Sequence, residues 1–84
     1  MEGKIIVVKE KDRELEASIV GIDEFIRILQ KEFFKAEKKK IFWSMCAIEE
    51  CDKPARFIVC SNESRISTLL CEEHYTKIRA NLVI

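Results

Sequence analysis

The sequence predicts a small α+β protein in which a β-hairpin and a long amphipathic helix precede a second hairpin and a short helix. Three observations predict this fold class. Apolar and polar residues alternate near the N-terminus, an apolar stripe with helical spacing follows, and all four cysteines and the single histidine lie after residue 45. The chain has 84 residues, with 15 basic and 15 acidic side chains. We expect residues 1–43 and 44–84 to form two segments of one compact unit.

The first predicted elements are two strands joined by a charged turn. Residues 3–9 are rich in β-branched side chains, which favour strands. After the turn, Leu15, Ala17 and Ile19 alternate with polar residues, a pattern typical of a half-buried strand that ends at Gly21. These features predict a β-hairpin.

A long amphipathic helix is predicted from Asp23, a favourable N-cap residue, to about Lys40. One stripe of this helix, about 100° wide, is apolar, as expected for a helix that packs on a core. The stripe contains Ile22, Phe25, Ile26, Leu29, Phe33 and Ala36. The opposite face carries Arg27, Lys31, Lys35 and Lys38, with Lys39 at its margin.

The second segment is predicted to contain two short strands and a helix. Residues 56–60 and 65–70 have strand composition, and the polar residues 61–64 predict a turn between them. A helix is expected from Cys71 onward, because residues at helical spacing share one face. These residues are Cys71, His74, Ile78 and Leu82.

The spacing of the cysteines and the histidine predicts a zinc site. Cys46 and Cys51 can converge across the turn between them, and Cys71 and His74 are neighbours in the first helical turn. Structural zinc takes four Cys or His ligands in a tetrahedron, and a metal would compensate for the small core of so short a chain. We expect structural Zn2+ on Cys46, Cys51, Cys71 and His74. A loop pair, a hairpin and a helix-borne pair form a treble-clef-like arrangement.

The residues around these ligands resemble a family of small zinc fingers. Cys46-Ala-Ile-Glu-Glu-Cys51-Asp-Lys-Pro-Ala55 and Leu70-Cys71-Glu-Glu-His74-Tyr75 are similar to the pattern C-x4-C-(D)-x-P-A … L-C-x2-H-(Y). Such modules occur in bacterial, archaeal and phage proteins, sometimes attached to homing-type nucleases. The resemblance covers residues 45–78 and implies a structural zinc on the same four residues. It leaves DNA binding, protein binding and plain stabilisation open as functions.

Cys60 lies outside this four-ligand pattern, and three interpretations of it are open. It can be a buried free thiol, which behaves as a small hydrophobic side chain; this is the interpretation that we favour. It can instead join an all-cysteine site that leaves His74 free. The cysteines can also form disulfides, which occur inside hyperthermophile cells, although two disulfides would leave His74 without a role.

Enzymatic activity is not expected. A catalytic zinc keeps one coordination position open and needs a nearby base, whereas four ligands would close the site and use the only histidine. The motifs of zinc deaminases and the Cys-x2-Cys motif of thiol redox proteins are absent from the sequence. We therefore expect no small-molecule substrate.

The base-rich face of the long helix is the candidate nucleic-acid surface. Arg27, Lys31 and Lys35 are successive i, i+4 neighbours, a spacing at which like charges slightly destabilise a helix. A phosphate partner would explain this row of bases. The solvated face that every amphipathic helix requires would also explain it. The sequence thus predicts a small regulatory zinc finger that binds DNA. The alternative is a protein–protein interaction adaptor with a purely structural zinc.

Three apolar features need a separate explanation: Phe34, which lies off the core stripe of the first helix, Trp43, and the apolar tail Leu82-Val83-Ile84. They either complete a core shared by the two segments or form a self-association surface. A homodimer would place two basic helices together, as in dimeric DNA-binding proteins.

Composition and apolar run lengths suggest where the protein works. No run approaches the length of a membrane span, and the N-terminus lacks a signal-peptide pattern. We expect a cytoplasmic protein, in the host cell if the source is viral. The bias toward Ile, Lys and Glu is typical of thermophiles and favours an archaeal or archaeal-viral source.

Overall fold

The computed structural model describes residues 2–32, 34–38 and 44–82. In chain order, its elements are β1 Lys4–Lys11, β2 Glu14–Gly21, α1 Ile22–Lys31, β3 Phe34–Lys38, β4 Phe57–Ser61, β5 Ile66–Leu70 and α2 Glu72–Ala80. The five strands form one antiparallel sheet in the order β2-β1-β5-β4-β3. The α+β class, both hairpins and the short second helix are confirmed. Neither described helix is long and apolar enough to cross a membrane.

The first hairpin is regular along its whole length. β1 pairs with β2 from Lys4 opposite Gly21 to Lys11 opposite Glu14. The two loop residues, Asp12 and Arg13, have φ angles of 50° and 68°, as in the type I′ turn that matches the twist of paired strands. Such a turn bonds the two flanking residues to each other, and ladder bonds then alternate along the strand.

The predicted long helix is wrong in its second half. α1 begins at Ile22, with Gly21 rather than Asp23 at the N-cap, and it ends at Lys31. Residues 34–38 instead form strand β3, which pairs with β4 from Phe34 opposite Ser61 onward. The alternating pattern Phe-Lys-Ala-Glu-Lys suits a strand, and the edge of β4 supplies its backbone with hydrogen-bond partners. Phe33 and residues 39–43 lie outside the described residues.

A side-chain network marks the point where the chain leaves α1. The Glu32 carboxylate accepts hydrogen bonds from Ser61 Oγ at 2.8 Å, from the Ser64 amide at 2.6 Å and from Ser64 Oγ at 2.5 Å. The hydrogen bond from the Ser64 side chain is the main cause that lowers the pKa of Glu32. The network joins the end of α1 to the β4–β5 turn and turns the chain toward the sheet.

The hydrophobic core lies between the sheet and the two helices. The first part of the predicted stripe is buried: Ile22, Phe25, Ile26 and Leu29. These side chains belong to one cluster with Ile5 and Val7 of β1, Val59 of β4, Ile66 and Leu70 of β5, and Ile78 of α2. Phe34 and Leu82 pack against this cluster, as the shared-core interpretation expects, and so does Ala36. Trp43, Val83 and Ile84 lie outside the described residues.

The other side of the sheet, which we call the open face, carries exposed apolar side chains. Ile6, Leu15 and Ile19 are 48%, 75% and 66% exposed. They point to the same side, because Ile6 lies opposite Ile19 and side chains alternate along each strand. The buried Ile5 and Val7 point to the side where both described helices pack.

Candidate metal centre

Four side chains from two parts of the chain, a loop and the start of α2, converge at one end of the sheet. The sulfur atoms of Cys46, Cys51 and Cys71 and a ring nitrogen of His74 all lie within 4.8 Å of one another. Cys46 and Cys71 are buried, and Cys51 and His74 are half-buried. The four residues predicted as zinc ligands are therefore clustered.

Two of the separations within this cluster match those expected around a tetrahedral zinc ion. With Zn–S near 2.3 Å and Zn–N near 2.0–2.1 Å, ligand atoms at tetrahedral angles lie about 3.8 Å apart for two sulfurs and about 3.6 Å apart for sulfur and nitrogen. Cys51 Sγ and Cys71 Sγ are 3.9 Å apart, and Cys46 Sγ is 3.6 Å from His74 Nδ1. Cys71 Sγ is 3.2 Å from the same nitrogen. The cluster can hold a metal ion of the size of zinc.

A tight loop positions Cys46 and Cys51. The Cys46 amide donates to the Lys53 carbonyl at 2.9 Å, and the Cys51 amide donates to the Ile48 carbonyl at 3.1 Å. Glu50 has a φ of 66°, which reverses the chain immediately before Cys51. The two sulfurs are thereby brought to one side of the loop.

The same loop is built into the sheet. β1 and β5 pair directly only at Val8–Ser67 and Lys9–Ile66. Beyond these pairs, Ala47 lies between the two strands: its carbonyl accepts from the Ile6 amide at 3.0 Å, and its amide donates to the Leu69 carbonyl at 2.8 Å. A metal held by this loop would therefore connect the N-terminal hairpin to the C-terminal hairpin.

The start of α2 positions Cys71 and His74. Cys71 is the N-cap residue, and its sulfur accepts a hydrogen bond from the His74 amide at 3.3 Å. The first turn of α2 therefore presents two of the four candidate ligands side by side.

Burial shifts two pKa values at the centre. It is the main cause that raises the pKa of the Cys46 thiol to about 12, while backbone hydrogen bonds involving Cys71 and Ile48 act in the other direction. Burial is also the main cause that lowers the pKa of His74, and the positive charges of Lys77 and Lys53 lower it further. A neutral imidazole is the ligand form of histidine, and a bound cation would stabilise the buried thiolates.

Cys60 lies outside the cluster. It is a half-buried free thiol on β4, opposite Ser67 of β5. Because the cluster contains His74 and not Cys60, the all-cysteine interpretation is not supported. All four cysteines are free thiols, so the disulfide interpretation is not supported either.

The predicted basic face is not one surface. Arg27 and Lys31 are exposed on α1, whereas Lys35 and Lys38 are exposed on β3. Lys35 lies opposite Cys60 and points to the open face, while Lys38 points to the helix side, 6.0 Å from the centre of the Phe57 ring. The predicted row of basic side chains is divided because the chain leaves the helix at Lys31 and continues as strand β3. Lys39 lies outside the described residues.

Comparison with known proteins adds no template for this site: no family model matches the chain, and neither the curated proteins nor the solved structures that were searched contain a match. The interpretation of the centre therefore rests on the chemistry and geometry of its ligands.

Proposed function

We propose that this protein is a non-catalytic protein-interaction adaptor stabilised by one structural zinc ion. The observation that carries the zinc centre of this proposal is the convergence of three sulfurs and one imidazole nitrogen within 4.8 Å. Zinc prefers this ligand set in structural sites. Cys46, Cys51, Cys71 and His74 would hold the ion, which would compensate the charge of three thiolates and fix the segments that carry them.

A structural role is favoured over a catalytic one because four protein ligands would fill the tetrahedron. Catalytic zinc sites leave a position for water or substrate. The arrangement is treble-clef-like, since a ligand loop, the β4–β5 hairpin and the first turn of α2 meet at the centre. Two ligands lie on the loop that is hydrogen-bonded to both β1 and β5. The metal would therefore stabilise the sheet as a whole.

Protein binding is favoured over DNA binding by the character of the exposed surface. The open face presents Ile6, Leu15 and Ile19, which are 48–75% exposed, and contiguous exposed apolar surface marks sites of protein contact. The bases on which the DNA hypothesis depended lie on two elements and point in different directions, and the net charge is zero. A polyanion would meet no single basic surface on α1 and β3.

A titration with duplex DNA tests this choice. We expect no binding at low salt, about 50 mM, where phosphate contacts are strongest. We also expect no difference between the unmodified protein and the double variant Lys31→Ala with Lys35→Ala. Lys11→Ala, which removes an exposed lysine of the hairpin, is the matched control. Binding that weakens steeply with salt and is lost in the double variant, but not in the control, would overturn the proposal in favour of DNA.

A further inference from the structure

The two edges of the sheet differ in how well they are protected. β3, at one edge, is five residues long and carries Lys35 and Lys38. Short length and lysines are features with which proteins keep edge strands from pairing with other chains. β2, at the other edge, is eight residues long and contains no lysine or proline. Its pairing with β1 is uninterrupted, so no bulge disturbs it.

The outer side of β2 offers backbone hydrogen-bonding groups. Because the turn pairs Lys11 with Glu14 and ladder bonds alternate from there, the N–H and C=O groups of Leu15, Ala17 and Ile19 point away from β1. Among residues 2–32, 34–38 and 44–82, no strand pairs with this side. Leu15 and Ile19 are also the two most exposed large apolar side chains of the described residues.

We propose that this edge binds a second copy of the chain: two β2 strands pair antiparallel about Ala17 and join two five-stranded sheets into one. This inference names the partner of the adaptor proposed above and rests on that proposal. An antiparallel pair of identical strands is related by a two-fold axis, so the contact closes at a dimer. The protected β3 edge would then remain as the outer edge of both copies.

The sequence of β2 is complementary to itself in this register. With Ala17 opposite Ala17, Leu15 lies opposite Ile19 of the second copy. The outward N–H and C=O groups of these residues then form the hydrogen bonds between the two β2 strands. Glu16 then lies opposite Ser18, and Glu14 opposite Val20. No like charges face each other, which matters because directly opposed like charges destabilise a strand pair. Centring the pair on Glu16 would oppose two carboxylates.

The two-fold axis also brings the apolar surfaces together. It runs perpendicular to the joined sheet, so the open faces of both copies lie on the same side. Leu15 and Ile19 of each copy become neighbours across the junction, and Ile6 of each copy flanks them on β1. The junction is narrow compared with a standard interface of about 1,600 Å². We therefore expect a weak dimer whose population depends on concentration.

Sedimentation equilibrium of the zinc-loaded protein, from about 10 μM to about 1 mM, tests this inference. The unmodified chain is expected to pass from monomer to dimer within this range. Ala17→Lys and Ala17→Glu each place two like charges opposite each other at the two-fold axis, so each variant alone should remain monomeric. An equimolar mixture of the two variants should dimerise again, because lysine then faces glutamate.

The mixing experiment distinguishes a second copy from other partners of the edge. Ala17→Ser, which introduces no charge, is the control and should dimerise like the unmodified chain. Position 17 is exposed and its backbone does not bond β1, so zinc content and circular dichroism should match in all variants. A monomer at every concentration, dimers in both charged variants, or no recovery on mixing would each overturn self-association. With zinc retained and DNA unbound, such a result would leave the adaptor proposal intact.

Discussion

Cys71→Ser is expected to release the zinc ion and unfold the protein at 25 °C. Cys71 is 2% exposed, and its sulfur lies 3.9 Å from Cys51 Sγ and 3.2 Å from His74 Nδ1. In zinc-finger peptides the metal contributes roughly 10–16 kcal/mol of apparent binding free energy. A chain of this size has a total stability of roughly 4–13 kcal/mol, so loss of the metal would remove most or all of it.

Zinc content by mass spectrometry and unfolding by circular dichroism measure this effect. Cys60→Ser is the matched control, because Cys60 is also a free cysteine but lies outside the cluster. It should keep one zinc per chain and lose less than about 1 kcal/mol of stability. Zinc loss in Cys60→Ser, or a folded and zinc-loaded Cys71→Ser, would contradict the ligand assignment.

Phe25→Ala is expected to lower the free energy of unfolding by about 3–5 kcal/mol. Phe25 is 1% exposed and is among the largest fully buried side chains of the described residues. It lies in the cluster that also contains Cys46 and Cys71, so its removal leaves a cavity in the core that supports the metal centre. The effect is comparable to the whole stability of a marginal domain.

Urea unfolding of the zinc-loaded protein measures this second effect. Leu15→Ala, at a position 75% exposed, is the control and should change the stability of the dilute monomer by no more than about 0.5 kcal/mol. Variant molecules that remain folded should still bind one zinc, because Phe25 is not a ligand. A loss below about 1 kcal/mol would show that α1 does not pack on the sheet as described.

The sequence predicts the hairpins well because their signals are local. Leu15, Ala17 and Ile19 alternate with polar residues, and β2 forms where this alternation occurs. The end of α1 is not predictable in the same way. Phe33 and Ala36 continue the helical stripe, yet residues 34–38 also alternate like a strand, and only the edge of β4 decides between the two. Tertiary pairing overrides the local helical pattern there.

The ligand set of the candidate site follows from the sequence because cysteine and histidine at metal-binding spacing are rare and chemically specific. The contacts that support it do not follow. Ser64 Oγ bonds to Glu32 across 32 residues, and Thr68 Oγ1 bonds to the Ile6 carbonyl across 62 residues at 2.7 Å. Nothing in the local pattern of a serine or a threonine identifies such distant partners. The insertion of Ala47 between β1 and β5 depends likewise on the assembled sheet.

X-ray absorption at the zinc K-edge of the purified, zinc-loaded protein tests the central claim most directly. It measures the number, kind and distance of the atoms bound to the metal. Cys46, Cys51, Cys71 and His74 predict three sulfur atoms at about 2.3 Å and one nitrogen at about 2.0–2.1 Å, with an unchanged spectrum in Cys60→Ser. Four sulfurs, an oxygen ligand in place of any of the four, or a protein that folds without retaining zinc would contradict the account.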